Sequence, residues 1–339
     1  MDSMAYALPL IWAAILAVGV TLYVILDGFG LGLGILFHFE RREQQRDVIM
    51  NSIAPFWDGN QTWLVLGGGG LLAAFPKAYG LVMSGLYIPI IVMLLALVFR
   101  GVAFEFRWVA KPRQEFWDLA FSWGALVATF AQGVVLGGLL QGLSAQDGLY
   151  TGGTFDWLTP FSLFCGVSLI AGYALLGTTW LIYKTDGELQ EWARDAAKIA
   201  LLLVVVATAI ISLWTPLSVA RIAERWFSWP NILLFSPVPL ITLYAAYRCW
   251  RGIDTIVGND AEPFIAAVAM FLLGFLGLVI SNVPYLVPGA LTVWEAAAAP
   301  SSQLFMLVGT LLLLPIILGY TVFVYWTFRG KVRPGEGYH

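Results

Sequence analysis

Apolar runs long enough to cross a bilayer recur along nearly the whole chain, separated by short segments rich in charge or turn residues. About 20 mostly apolar residues make one helical span. Nine stretches qualify, at roughly 8–37, 51–75, 79–106, 117–142, 159–183, 199–219, 230–249, 263–287 and 303–328. The first, about 45 Å long as a straight helix, tilts or emerges from the bilayer. It does not read as a cleaved signal, because Met1 to Pro9 carry no positive charge and the apolar run is too long. The most polar connections are 144–158 and 184–198, the latter the longest on its side. No internal repeat and no linker divides the chain, so residues 1–339 read as a single transmembrane domain.

Composition agrees: 60% of residues are hydrophobic and only 12% charged, against roughly 25% charged in soluble domains. Lys and Arg set the orientation, since basic residues accumulate in cytoplasmic segments. With the N-terminus outside, 15 of the 18 basic residues fall inside, among them Arg41, Arg42, Arg46, Arg107, Lys111, Lys184, Arg194, Arg329 and Lys331; only Lys77, Arg221 and Arg225 fall outside. The expected fold is all-α and integral to the membrane, with nine spans, a periplasmic N-terminus and a cytoplasmic C-terminus.

Residues able to hold metal are few. His38 and His339 are the two histidines, too few for bis-His haem ligation within the chain. His38 reads as a polar interfacial residue, and any haem is expected in a partner. Cys165 and Cys249 lie at opposite depths and read as unpaired packing residues. Gly67–Gly70 lacks the Lys-Ser/Thr of a phosphate loop and reads as a close helix contact. No metal site and no nucleic-acid partner is expected.

Acidic residues inside apolar runs carry the chemistry. A carboxylate in hydrocarbon costs about 2.5–3.5 kcal/mol on insertion scales. Counted at 1.5 Å per residue, Asp27 lies about 15 Å from the inner end of its span, Asp58 about 10 Å in and Arg100 about 9 Å in. Glu105 and Asp118 lie at the same boundary. Two readings stay open. Arg100 neutralises Asp58 or Asp27 and the charges lock the helices in register, or the acids form a cytoplasmic proton inlet. Asn282, Pro284, Tyr285 and Pro288 end the eighth span, with Trp294 and Glu295 beyond; a plain helix terminus is expected there, rather than a partner or quinone contact.

The run Asn51-Ser52-Ile53-Ala54-Pro55-Phe56-Trp57-Asp58-Gly59-Asn60-Gln61-Thr62-Trp63-Leu64 resembles the signature of subunit II of cytochrome bd-type quinol oxidases. Asp27-Gly28-Phe29, Phe99-Arg100, Phe104-Glu105-Phe106-Arg107, Trp294-Glu295, Ser301-Ser302-Gln303 and Tyr325-Trp326 fit the same family in order. The stretch Leu97 to Arg107 is similar to its cyanide-insensitive branch. The resemblance implies two four-helix bundles plus a peripheral helix. It also implies a bacterial cytoplasmic-membrane location and a partner subunit I that carries the haem b and haem d-type centres. Quinol is the reductant, oxygen is reduced to water, and the protons come from the cytoplasm. It leaves room for a structural quinone, small single-helix accessory subunits and membrane lipid. By resemblance Asp58, beside Trp57, is the main inlet carboxylate. Glu105 and Asp118 are then the mouth, Asp27 an inner relay or structural partner, and Arg100 the tuner. One departure stands out: many members have a second aspartate where this chain has Gly30, and Glu105 replaces a shorter acid. The alternatives are a pure assembly scaffold and a stand-alone proton-coupled transporter.

Overall fold

The computed structural model describes residues 2–110, 113–255, 258–333 and 335; Lys111, counted among the inner basic residues, and His339 lie outside them. In chain order the helices are α1 (Asp2–Leu36), α2 (Glu43–Asn51), α3 (Trp57–Ala74), α4 (Pro76–Gly85), α5 (Tyr87–Val109) and α6 (Gln114–Gln141). After a two-stranded hairpin, β1 (Ala145–Gln146) with β2 (Leu149–Tyr150), come α7 (Pro160–Lys184), α8 (Glu188–Ser218), α9 (Ala220–Phe227), α10 (Asn231–Phe235), α11 (Pro237–Asp254) and α12 (Glu262–Asn282). A second hairpin, β3 (Tyr285–Val287) with β4 (Leu291–Thr292), precedes α13 (Pro300–Thr327). Among the described residues eight helices are long and apolar enough to cross a membrane, and a ninth crossing results if α3 and α4, bent by 118°, count as one.

Three boundaries differ from the sequence reading. The expected span 51–75 does not start as a continuous helix: α2 stops at Asn51 and α3 starts at Trp57. Pro55 lies between them, removing a backbone donor and disfavouring helix at the residue before it. The third expected span, 79–106, is split, because α4 ends at Gly85 and α5 begins at Tyr87. The expected loop 184–198 is mostly helix. Leu189, Ala193 and Ala197, four residues apart, bury one face, and Glu188 and Glu191 sit at the positive end of α8.

The elbow between α3 and α4 has a built cap. Phe75 leaves the helical region and Pro76 opens the next helix. The freed Ala74 carbonyl accepts from Gln303 Nε2 at 3.0 Å and Ala298 N at 2.9 Å. Trp12 Nε1 donates to the Gln303 carbonyl at 3.0 Å. A core of Leu8, Trp12, Leu16, Phe75, Leu81, Val287 and Leu291 fills this end. At the end of α12, Arg221 of α9 donates to the Ser281 carbonyl at 2.8 Å, and in the β3–β4 turn that follows Glu295 accepts from the Thr292 backbone at 2.8 Å and hydroxyl at 2.7 Å.

α1 runs through the centre, packed on α3, α6 and α7. Its crossing with α7 is close enough that a Cβ on Gly32 would overlap the Tyr173 carbonyl, with Gly177 facing it. Helix α7 packs in turn on α6, α8 and α12, and α11 pairs with α12. Helix α13 leans on α1 and α3 and buries only Gln303 and Leu307. Of the four consecutive glycines, Gly67 and Gly70 face Val20 and Leu16 of α1, whereas Gly68 and Gly69 face open space. Cys165 and Cys249 are free and buried.

Candidate functional site

Helical periodicity divides the polar run at the start of α3 between two faces. Neighbouring residues on a helix point about 100° apart, whereas residues three or four apart share a face. Asn60 and Trp63 therefore point inward and are buried, with Trp57 half-buried, while Asp58, Gly59 and Thr62 point outward and are exposed. Asn60 ties three helices together: its Nδ2 donates to the Leu26 carbonyl of α1 at 2.8 Å, and its Oδ1 accepts from Tyr325 of α13 at 3.0 Å. The Tyr325 ring stacks on Phe56 at 4.3 Å. The Trp57 indole stacks on Phe104 of α5 at 5.1 Å, nearly coplanar. That contact holds the start of α3 against the part of α5 that carries Glu105, itself exposed. Among the described residues neither Asp58 nor Glu105 makes an ion pair or hydrogen bond. Asp58 lies in the first turn of α3, where the positive end of the helix attracts a carboxylate.

Asp27 and Arg100 are elsewhere and sealed. Both are fully buried, and Arg100 Nη1 donates to both Asp27 oxygens, at 2.8 and 3.0 Å. Arg100 therefore pairs with Asp27 and not with Asp58, which corrects its expected role as a neighbour of Asp58. Gly30 packs against this pair. A Cβ there would overlap Ile53 Cδ1 and lie 2.7 Å from Arg100 Nη2. The guanidinium thus packs into space that a side chain at position 30 would take. Tyr23 lies one turn from Asp27 on α1 and interacts with its carboxylate. Gln132 Nε2 of α6 donates to the Tyr23 hydroxyl at 2.8 Å, and Tyr173 of α7 donates to Gln132 Oε1 at 2.9 Å. A buried polar chain therefore links α5, α1, α6 and α7. Of its members beyond the ion pair, only Tyr23 had a signal in the sequence, four residues from Asp27; Gln132 and Tyr173 had none.

Asp118 belongs to a third group, at the end where the basic residues gather. Its oxygens accept from Arg107 Nε at 2.5 Å and Arg46 Nη1 at 2.9 Å, and Arg107 also reaches Asp47 at 2.6 Å. Arg42 joins the same end to Glu40 at 3.1 Å and to Glu188 of α8 at 2.6 Å. Burial pushes the Glu40 carboxyl up, but hydrogen bonds from the Arg42 side chain and backbone outweigh it and hold it below the usual range. The six residues singled out from sequence are thus not one constellation. They form an exposed flank (Asp58, Glu105, with Trp57 behind), a sealed pair (Asp27, Arg100) and an ion network (Asp118). The network partners Asp47, Arg46 and Arg107 were not singled out, because charges near a boundary look alike in sequence.

His38 is the one histidine among the described residues. His38 Nδ1 is hydrogen-bonded to Ser122 and its ring meets Trp123 edge-on. Among the described residues no three His, Cys, Asp or Glu side chains gather as a metal site.

Residues 8–328 match the family profile of cytochrome bd terminal oxidase subunit II. The chain is 32% identical to the cytochrome bd-I ubiquinol oxidase subunit 2 of Escherichia coli (strain K12), over 96% of this chain and 95% of that one. It is 29% identical to the cytochrome bd ubiquinol oxidase subunit 2 of Bacillus subtilis (strain 168), over 96% and 97%. Its fold is similar to a chain of the bd oxidase from Geobacillus thermodenitrificans, with a TM-score of 0.78 at 18% identity, over 95% of this chain and 98% of that one.

Proposed function

The chain belongs to the family of cytochrome bd terminal oxidase subunit II, and we propose that within such an oxidase it steadies a haem-bearing partner and leads cytoplasmic protons along its own flank to that partner. The complex is an oxidoreductase of the bacterial cytoplasmic membrane that oxidises quinol and reduces oxygen to water. The haem b and haem d-type centres are assigned to subunit I by the family resemblance, and the described residues offer a single histidine, His38, too few for bis-His ligation within the chain. Helix α3 with its bent continuation acts as the ninth span. The first four spans (α1, α3, α5, α6) and the next four (α7, α8, α11, α12) form two bundles with α13 outside. The N-terminus is periplasmic and the C-terminus cytoplasmic.

The observation that carries the proton reading is the contrast among the acids. Asp27 and Asp118 are neutralised by arginines. Asp58 on α3 and Glu105 on α5 are both exposed, each next in sequence to a partner in the Trp57–Phe104 stack, with no cation against them among the described residues. Uncompensated carboxylates are costly against lipid and are at home where a partner subunit and water cover them. Asp118 and its arginines form the charged mouth at the basic end, and Asp58 takes protons onward. Asp58→Asn tests this. Quinol-driven oxygen uptake by the purified complex falls at least about tenfold while the haem spectrum stays intact. Full turnover with full haem content removes the proton role.

The scaffold reading has its own support, in the sealed Asp27–Arg100 pair. It accounts for that pair without accounting for the exposed acids.

A further inference from the structure

A cavity of about 320 Å3 opens at the basic end between α1, α7, α12 and the end of α13. Its lining changes character with depth. Lys184, at the end of α7, and Arg329, just past α13, lie at its basic end, Lys184 buried and Arg329 exposed, and Phe29 and then Ile25 line it further back along α1. Lys184 Nζ donates to the carbonyls of Phe328 and Gly330, both at 2.5 Å, and stands 5.5 Å over the Trp180 ring. Arg329 donates to the Trp326 carbonyl at 3.0 Å and covers its ring at 4.6 Å. Neither cation meets a carboxylate among the described residues, although Lys331, two residues from Arg329, bridges Asp186 and Asp260. One turn deeper than Lys184, Trp180 is buried with an indole N–H that has no acceptor among the described residues.

We propose that this cavity binds one anionic glycerophospholipid, with its phosphate at Lys184 and Arg329, an ester carbonyl at the Trp180 N–H and one acyl chain along Ile25 and Phe29. The order of groups along the cavity matches the order along such a lipid: cations, then a donor, then an apolar run. Basic pockets between helices on the cytoplasmic side suit anionic headgroups. A neutral quinone accepts hydrogen bonds at its carbonyls but carries no negative charge to match two cations. Free phosphate gains nothing from the apolar depth. A zwitterionic lipid brings a positive group to an end that is already positive.

The test uses the purified, delipidated oxidase complex and native mass spectrometry, with phosphatidylglycerol and phosphatidylcholine of identical chains as probes. Only complexes with an unaltered haem spectrum are compared. Phosphatidylglycerol is retained in preference, and millimolar inorganic phosphate does not displace it. Arg329→Gln weakens phosphatidylglycerol about fivefold, the loss of one basic residue near a headgroup, and leaves phosphatidylcholine unchanged. Ile25→Phe, which fills the depth, lowers phosphatidylglycerol retention with Arg329 in place; if that variant does not assemble, the Arg329→Gln arm decides alone. Equal retention of the two lipids, displacement by phosphate, or a tightly held quinone with no effect of Arg329→Gln overturns the proposal.

Discussion

Arg100 pairs with Asp27 in the buried interior, its other terminal nitrogen packed against Gly30. A buried charge left without its partner is destabilising by about 3–5 kcal/mol, whereas replacing both charges by apolar groups is often neutral. Arg100→Gln is therefore expected to lower the thermal midpoint of the purified complex sharply, and Asp27→Leu with Arg100→Met to recover most of the loss. A double variant that stays stable and keeps turnover assigns the pair to structure. One that is stable but slow assigns Asp27 to proton transfer. Glu40 offers a pH-dependent counterpart outside the membrane. Its folded pKa is depressed, so its contribution is present above the ordinary carboxylate range and lost as pH falls through the folded value. The stability difference between the native complex and Glu40→Gln is expected to be constant above about pH 5 and to shrink below about pH 4, as read by thermal unfolding across that range.

Helix contacts in this chain depend on where a glycine faces, not on how many glycines adjoin. Gly70 meets Leu16, and Gly68 meets nothing within 4 Å. Gly70→Ala should cost about 1–3 kcal/mol by overpacking, while Gly68→Ala should be neutral or stabilise by up to about 1 kcal/mol through helix propensity. Thermal unfolding of the two variants side by side checks the contrast. The elbow at Phe75 follows the same logic of local need. Gln303 shares the Ala74 carbonyl with Ala298 N–H, so Gln303→Leu should cost about 0.5–1.5 kcal/mol, the net worth of one hydrogen bond, and loosen the end of α3 to proteolysis. The residues Trp294, Glu295 and Gln303, legible as a family signature, belong to this end of the fold and hold the turn and elbow together.

For the molecule as a whole, topology is the property open to direct test. The native cysteines are buried, at 4% and 0% exposure, so an introduced cysteine reports with low background. With the N-terminus periplasmic, Leu149→Cys in the β1–β2 hairpin reacts with a membrane-impermeant maleimide on intact cells, and Asp195→Cys on α8 reacts only after permeabilisation. The reverse pattern inverts the topology. The all-helical, multi-span character of the chain was readable from the sequence, because hydropathy is a one-dimensional quantity; of the nine expected crossings, the ninth depends on counting the bent α3–α4 pair as one. The helical start of α8 and the breaks at Pro55 and Phe75 were less legible, since amphipathic turns and proline junctions look like loops or continuations until packing selects between them. The pairing of charges was legible only as a choice, Arg100 with Asp58 or with Asp27, because position along a helix says nothing about which way a side chain points around it. The sequence by itself determined a helical membrane chain and its family. The tertiary structure alone decided that Arg100 turns to Asp27, that Asn60 faces inward and that Asp58 faces outward, because azimuth and helix crossing are set by contacts between segments distant in the chain.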